Sequence, residues 1–137
     1  MSDCIFCKIA AGEIPSNTVY ENENLRVILD ISPANPGHCL VLPKSHAGNI
    51  FEIEENLLKE AFAAAKKTAS ALKLSGLADG VNILQNNGEI AGQTVNHFHI
   101  HVIPRKEGDK VTLKHEGVKL SSEEMDHVGE AVKKALN

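Results

Sequence analysis

Three histidines at alternate positions are the residues of this 137-residue chain best suited to do chemistry. His97, His99 and His101 lie in the segment 96–103, with apolar residues between them. This alternation is the period of a half-buried β-strand, so the three imidazoles are predicted to share one face. Imidazole titrates near neutral pH and can act as a base, a nucleophile or a metal ligand. The alternative is a solvated strand face that happens to be rich in histidine.

A second group of residues has the spacing of a zinc site. Cys4 and Cys7 form a CxxC pair, whose two thiolates can reach one zinc ion at about 2.3 Å. A tetrahedral site needs two more ligands, and His46 is the strongest candidate outside the histidine row because Pro43 ends a strand just before it. The weaker candidates are His38, His115 and His127. The alternative is a pair of unligated thiols beside a surface histidine, and Cys39 is expected to be a core residue.

Five strands and two helices are predicted to position these residues. Strands are expected at 18–21, 25–29, 39–42 and 80–84, with a fifth strand from about 95 to 104 that carries the histidines. An amphipathic helix from about 54 to 74 ends at Ser75–Gly76, and a capping box at Ser121 and Glu124 begins a second helix. The predicted fold class is α+β, a five-stranded mainly antiparallel sheet with both helices packed against it.

Length and charge limit the classes of function. With 42% hydrophobic residues, residues 1–137 are expected to form a single domain. The net charge is −4 and the 14 basic residues are scattered, which argues against a nucleic-acid polymer as partner. The chain has no apolar run of about 18 residues and no signal-peptide pattern, so we expect a cytoplasmic protein that does not associate with membranes.

Several blocks of the sequence together resemble the histidine-triad (HIT) family. The segment 97–103 is similar to its signature of alternating histidines and hydrophobic residues. The blocks 30–33, 36–46 and 86–94 resemble other family motifs in the same order, so the resemblance covers about residues 4–105 and leaves a helical tail at about 106–137. It implies the HIT-like fold and the zinc-containing bacterial Hit-like branch.

The resemblance also implies a reaction. Family members are nucleotide hydrolases and transferases that form a covalent nucleotidyl-histidine, and the matching nucleophile here is His99. His101 would contact the phosphoryl group, and Thr94 would donate its hydroxyl toward the leaving group, where relatives often have serine. We therefore expect cleavage at the α-phosphate of purine nucleotides, either nucleoside phosphoramidates or dinucleoside polyphosphates.

Further residues match positions that bind the nucleotide. Asp30 resembles the carboxylate that accepts the ribose hydroxyls, although an Asp at the start of a turn is often a local cap. Asn86 and Gln93 are expected to donate amide hydrogens to phosphate oxygens. Apolar residues that match the purine slot are Phe6, Ile9, Val27 and Leu29, with core packing as the equal alternative.

The zinc-binding branches use ligands that correspond to Cys4, Cys7, His46 and His97. The resemblance thus implies one structural Zn²⁺ per chain, and also a homodimer. Two other functions remain open from the sequence. One is a catalytic-zinc hydrolase that uses the His-x-His strand, and the other is a nucleotide-binding regulatory module whose hydrolysis is incidental.

Overall fold

A computed structural model describes residues 3–137 of the chain. Its helices are α1 (Ile5–Ala10), α2 (Glu55–Leu74) and α3 (Ser122–Leu136), with a single 3₁₀ turn at Glu89–Ala91. Its strands are β1 (Thr18–Glu21), β2 (Leu25–Leu29), β3 (Cys39–Pro43), β4 (Gly80–Leu84) and β5 (Ile100–Arg105). The strands form one antiparallel sheet in the order β1-β2-β3-β5-β4. The predicted α+β class with a five-stranded antiparallel sheet is confirmed.

The two faces of the sheet are covered by different helices. Val41, Ile100 and Val102 point toward α2 and pack in one buried cluster with its small residues, such as Ala61 and Ala65. The intervening residues point to the other face, where a second buried cluster contacts α1; it contains Ala10, Ile28, Leu40 and Leu42, with Phe6 and Ile9 packed against it. Because His101 lies opposite Leu40 in the β3–β5 register, its side chain belongs to the α1 face.

The predicted start of the fifth strand is wrong. The chain bends at residues 95–97, and β5 begins only at Ile100. The bend has a local cause, because the His97 N–H donates to the Val95 carbonyl and the Phe98 N–H donates to the Ala47 carbonyl. These bonds use amides that a continuous strand would offer to its neighbour. Of the three histidines, only His101 is within the strand.

The two ends of the chain differ from the prediction in opposite ways. The short helix α1 is not predicted, and it supplies the layer on the second face of the sheet. The C-terminal helix α3 is correctly predicted with its capping box, but it does not pack against the sheet: in the described range 3–137, every residue from 112 onward is exposed.

A salt-bridge network lies at the end of β5, just before this exposed tail. Asp109 accepts hydrogen bonds from Arg105, Asn35 and the Lys106 amide, and Arg105 also donates to the Val111 carbonyl. The Arg105 guanidinium is the main reason that the pKa of Asp109 lies far below its usual range. Among residues 3–137, no helix has the length and apolar character needed to cross a membrane.

Candidate active site and metal centre

Four predicted metal ligands lie together where the first helix meets the end of β3 and the bend before β5. Cys4 Sγ is 3.4 Å from His97 Nδ1, and Cys7 Sγ is 3.3 Å from His46 Nδ1. The two histidine Nδ1 atoms are 3.2 Å apart. The ligand atoms of all four residues lie within 4.8 Å of one another. The fold thus gathers residues that are up to 93 positions apart in sequence.

These distances fit a tetrahedral metal site. With the usual zinc bond lengths of about 2.3 Å to sulfur and 2.0 Å to nitrogen, the edges of a tetrahedron are roughly 3.3–3.8 Å. The observed nitrogen and sulfur separations of 3.2–3.5 Å are close to that range. Burial, followed by the Cys4 thiol, raises the pKa of Cys7, so a bound cation would be needed to favour its thiolate. The donor set suits zinc.

His97 is oriented for a ligand role by its other ring nitrogen. Its side chain is fully buried, and Nε2 lies 2.9 Å from the Pro43 carbonyl oxygen. A carbonyl can only accept, so Nε2 carries the hydrogen and Nδ1 directs a lone pair at the cluster. Burial lowers the pKa of His97 to about 4, which keeps the ring neutral.

His99 has the opposite tautomer. Its Nδ1 lies 2.7 Å from the main-chain oxygen of His97 and must donate to it, which leaves the lone pair on Nε2. Burial lowers the pKa of His99 as well. Phe6 packs edge-on against the ring at 5.0 Å between centroids, which restricts its rotation. His99 therefore presents a neutral, fixed nitrogen of the kind that nucleophilic catalysis requires.

The tautomer of His101 is set by His38, for which the sequence alone indicated only a weaker candidacy as a zinc ligand. The Ala34 N–H donates to His38 Nδ1 at 2.9 Å, so in the neutral ring the His38 hydrogen lies on Nε2. That nitrogen is 2.9 Å from His101 Nδ1 and donates to it. His101 is then left with a hydrogen on Nε2, and burial followed by the nearby His99 and His38 lowers its pKa to about 4.

Asp30 lies at the end of β2, beside this histidine pair. One carboxylate oxygen accepts the Ser32 N–H at 2.9 Å, and the other is 3.5 Å from His38 Nε2. The local-cap geometry is therefore present. The carboxylate nevertheless retains 18% of its side-chain surface, so it can accept further hydrogen bonds.

The loop before the triad carries Asn86, Gln93 and Thr94, which were expected to contact the phosphate or the leaving group. Their burial and hydrogen bonding differ. Gln93 is buried, and its side-chain amide donates to the Gly48 and Val95 carbonyls while its oxygen accepts the Gly88 N–H. Gln93 thus stabilises the loop through hydrogen bonds to its backbone. Both amide hydrogens are used in these bonds, so neither is left for a phosphate. Asn86 is half-buried, and within residues 3–137 its side-chain amide makes no hydrogen bond. Thr94 is exposed.

Thr94 lines a cavity of about 650 Å³. The same cavity is bordered by the metal-cluster residues Cys4, Cys7 and His46, and by Asn96. The predicted leaving-group residue and the predicted metal site are therefore neighbours across one opening.

The apolar residues expected in the purine slot divide between the two faces of the sheet. Phe6 and Ile9 lie on the α1 face with the histidines. Val27 is fully buried in the α2-side cluster, and Leu29 packs partly against that cluster. Both thus pack on the far face because of strand alternation, and the apolar β2 residue on the histidine face is Ile28.

Comparison with known proteins gives a consistent result. A family model described as HIT domain matches residues 11–108. An adenosine 5'-monophosphoramidase of Saccharomyces cerevisiae is 44% identical over 104 residues, which is 76% of this chain and 63% of that protein. A solved Streptococcus mutans structure has a TM-score of 0.94 at 42% identity, with 100% of this chain and 87% of that one covered. A zinc-bound histidine triad family protein from Mycobacterium smegmatis has a TM-score of 0.77 at 37% identity, and the match covers 97% of each chain.

Proposed function

The chain belongs to the HIT-domain family, and from that premise we propose that it is a nucleotide hydrolase or nucleotidyl transferase with His99 as nucleophile. Its substrate would be a purine nucleoside monophosphate that carries a leaving group on the α-phosphate. The observation that carries the proposal is the bond from His99 Nδ1–H to the His97 carbonyl, because it leaves Nε2 free to attack.

The proposed reaction has two displacements. His99 Nε2 attacks the α-phosphorus as the bond to the leaving group breaks, and we assign to the exposed Thr94 hydroxyl the transfer of a proton to the leaving group. Water then attacks the phosphorus, the phosphorus–nitrogen bond breaks, and the nucleoside monophosphate leaves. His101 Nε2–H donates to a phosphoryl oxygen, since His38 holds it in that tautomer.

Recognition of the nucleotide would use side chains near the triad that still have free hydrogen-bonding capacity or apolar surface. We assign the ribose hydroxyls to the partly exposed Asp30 carboxylate, and a phosphate oxygen to the Asn86 amide. Phe6 and Ile9, on the face that carries the histidines, would contact the purine. The monophosphoramidase relative supports the adenosine phosphoramidate as the first substrate to try.

We further propose that Cys4, Cys7, His46 and His97 hold one structural zinc ion. When bound, zinc would brace the N-terminal segment against the triad rather than take part in the chemistry. Four protein ligands leave no open position for a reactive water, which argues against a catalytic-zinc hydrolase.

Intact-protein mass spectrometry tests the nucleophile. Wild-type protein mixed with adenosine phosphoramidate or a dinucleoside polyphosphate should transiently gain one nucleoside monophosphate through an acid-labile, base-stable bond, and His99→Ala should not. His115→Ala, a change of an exposed histidine outside the site, is the matched control and should behave as wild type. Equal turnover by wild type and His99→Ala would overturn the proposal.

A further inference from the structure

Cys4 and Cys7 are placed so that they can bond to each other as well as to a metal ion. Cys4 is the N-cap of α1 and Cys7 lies in its first turn, where the Cys7 N–H donates to Cys4 Sγ at 3.4 Å. Residues three positions apart in a helical turn have Cα atoms about 5 Å apart. A disulfide needs a Cα separation of about 4.4–6.8 Å, so the backbone already permits this bond.

The two thiols are open to small molecules, and the third thiol of the chain is not. Cys4 and Cys7 are half-buried and border the cavity of about 650 Å³, together with the exposed His46. Cys39 is buried, and its thiol donates to the Gly37 carbonyl at 3.2 Å. An oxidant that enters from solvent can therefore reach the pair, whereas Cys39 is protected by burial.

The two sulfurs cannot bind a zinc ion and each other at the same time. In a tetrahedral site with bonds of about 2.3 Å, the sulfurs are about 3.8 Å apart. In a disulfide they are about 2.05 Å apart and carry no negative charge. His46 and His97 would then be the remaining ligands, two neutral donors where a structural zinc site has four. Oxidation thus removes half of the donors and both charges that balance the cation.

We propose that a small hydroperoxide oxidises Cys4 and Cys7 to a disulfide, and that this reaction releases the metal ion. The inference rests on the zinc site proposed above. One thiolate sulfur attacks the peroxide O–O bond and becomes a sulfenic acid, and the departing oxygen takes a proton and leaves as an alcohol or as water. The other thiolate attacks that sulfur, the sulfenic oxygen takes a proton and leaves as water, and the S–S bond forms. The cysteines lose two electrons, which reduce the peroxide.

Peroxide titration of the purified full chain tests the inference. Zinc is measured first by elemental analysis. Hydrogen peroxide is then added, released zinc is followed with a chromogenic chelator, and free thiols are counted by alkylation in denaturant and mass spectrometry. Alkylated thiols should fall from three to one per chain, and digestion should yield the Cys4–Cys7 disulfide. One zinc ion should be released for each disulfide formed, and a dithiol reductant with added zinc should reverse both changes.

Cys39→Ala is the matched control, because it removes the buried thiol and keeps the exposed pair. It should release zinc as the wild type does, with alkylated thiols falling from two to none. Cys7→Ser should form no disulfide within the chain. The reversal by dithiol is measured on the unaltered protein, so the test does not depend on the folding of this variant.

The outcomes separate this inference from the proposal on which it rests. Three results would overturn the inference alone: zinc that stays bound while the disulfide forms, peroxide treatment that leaves the pair without a disulfide, or a disulfide that includes Cys39 or joins two chains. Protein that contains no zinc before peroxide is added would instead overturn the proposed zinc site, and this inference with it.

Discussion

At the residue scale, His97 is held at three atoms with three different partners. Its Nε2–H donates to the Pro43 carbonyl, its Nδ1 faces the thiols, and its main-chain oxygen accepts the His99 hydrogen. A displacement of this residue would therefore move both the metal cluster and the proposed nucleophile. The proposed zinc site and the proposed nucleophile are thus connected through this one residue.

Asp30→Ala should raise KM for ribonucleotide substrates by about ten- to a hundredfold, the size expected for loss of a charged acceptor. The same variant should change KM much less for 2′,3′-dideoxy analogues, which lack the hydroxyls that we assign to this carboxylate. Steady-state kinetics with both substrate series gives the comparison. If both series suffer alike, Asp30 acts only through its bonds to Ser32 and His38.

Cys7→Ser should lower metal affinity by more than about a hundredfold, because loss of a residue that only orients a ligand already costs about 10- to 100-fold, and it should lower the thermal midpoint at the same time. Cys39→Ala is the matched control because it also removes one thiol. Cys39 is buried in the sheet and away from the cluster, and burial raises its pKa to about 11. Elemental analysis of protein purified without chelator gives the metal content; the control should retain it, and loss in both variants would contradict the assignment.

The roles of individual side chains could be predicted from the sequence only where residue type and spacing are sufficient to indicate them. The cluster of Cys4, Cys7, His46 and His97 comes together as the resemblance implied. The loss of Gln93 as a phosphate donor could not be foreseen, because its partners are backbone carbonyls whose positions depend on the folded loop. The His38 contact depends likewise on the pairing of two strands.

At the scale of elements, Gly37 fixes how closely the turn before β3 approaches α2. It has φ +100°, and an added Cβ would lie 3.0 Å from Leu72 Cδ2. Leu72 is buried in the α2-side core, so it has little room to move. The turn is therefore restricted to glycine for two separate reasons, backbone conformation and space.

Gly37→Ala should destabilise the fold by about 2–5 kcal/mol, from left-handed backbone strain of about 1–2 kcal/mol and overpacking of about 1–3 kcal/mol. Gly76→Ala isolates the first cause, because Gly76 has φ +82° and open space around its Cα. It should cost only about 1–2 kcal/mol. Urea unfolding of both variants measures the difference, and equal costs would show that the Leu72 contact relaxes freely.

The bounds of β1, β2 and β4 follow from apolar patterning and turn residues, and they are predicted to the residue. Helix α1 is missed because six residues give less than two turns of periodicity, and its first turn is capped by the Cys4 thiol, not by a typical capping residue. The start of β5 is misplaced because histidine alternation continues through a bend that is created by bonds to distant residues. Short elements and bends are determined by tertiary partners.

At the scale of the whole molecule, we propose that the chain is one HIT domain that ends with the Asp109 network, followed by a tail. A chain that stops after Lys114 keeps every partner of Arg105 and Asp109. It should retain the metal content and the amide NMR spectrum of the core, with small shifts only near the new end. Collapse of the spectrum would show that the tail is needed for folding, in spite of its full exposure.

The arrangement of the whole fold could be predicted from alternating strands and amphipathic α2, since these patterns reflect burial within one chain. The surroundings of α3 could not. An exposed apolar stripe has the same sequence pattern as a buried one, because periodicity specifies a face but not what covers it.

The separation of the metal ligands along the chain also has a consequence during synthesis. Cys4 is made 93 residues before His97, the partner that lies 3.4 Å from it in the fold. At ribosomal speeds of about 5–20 residues per second, the two thiols wait roughly 5–20 s before the last ligand exists. The site that we propose for zinc is thus completed late in translation, and for those seconds the nascent thiols are open to oxidation and to any soft metal ion in the cell.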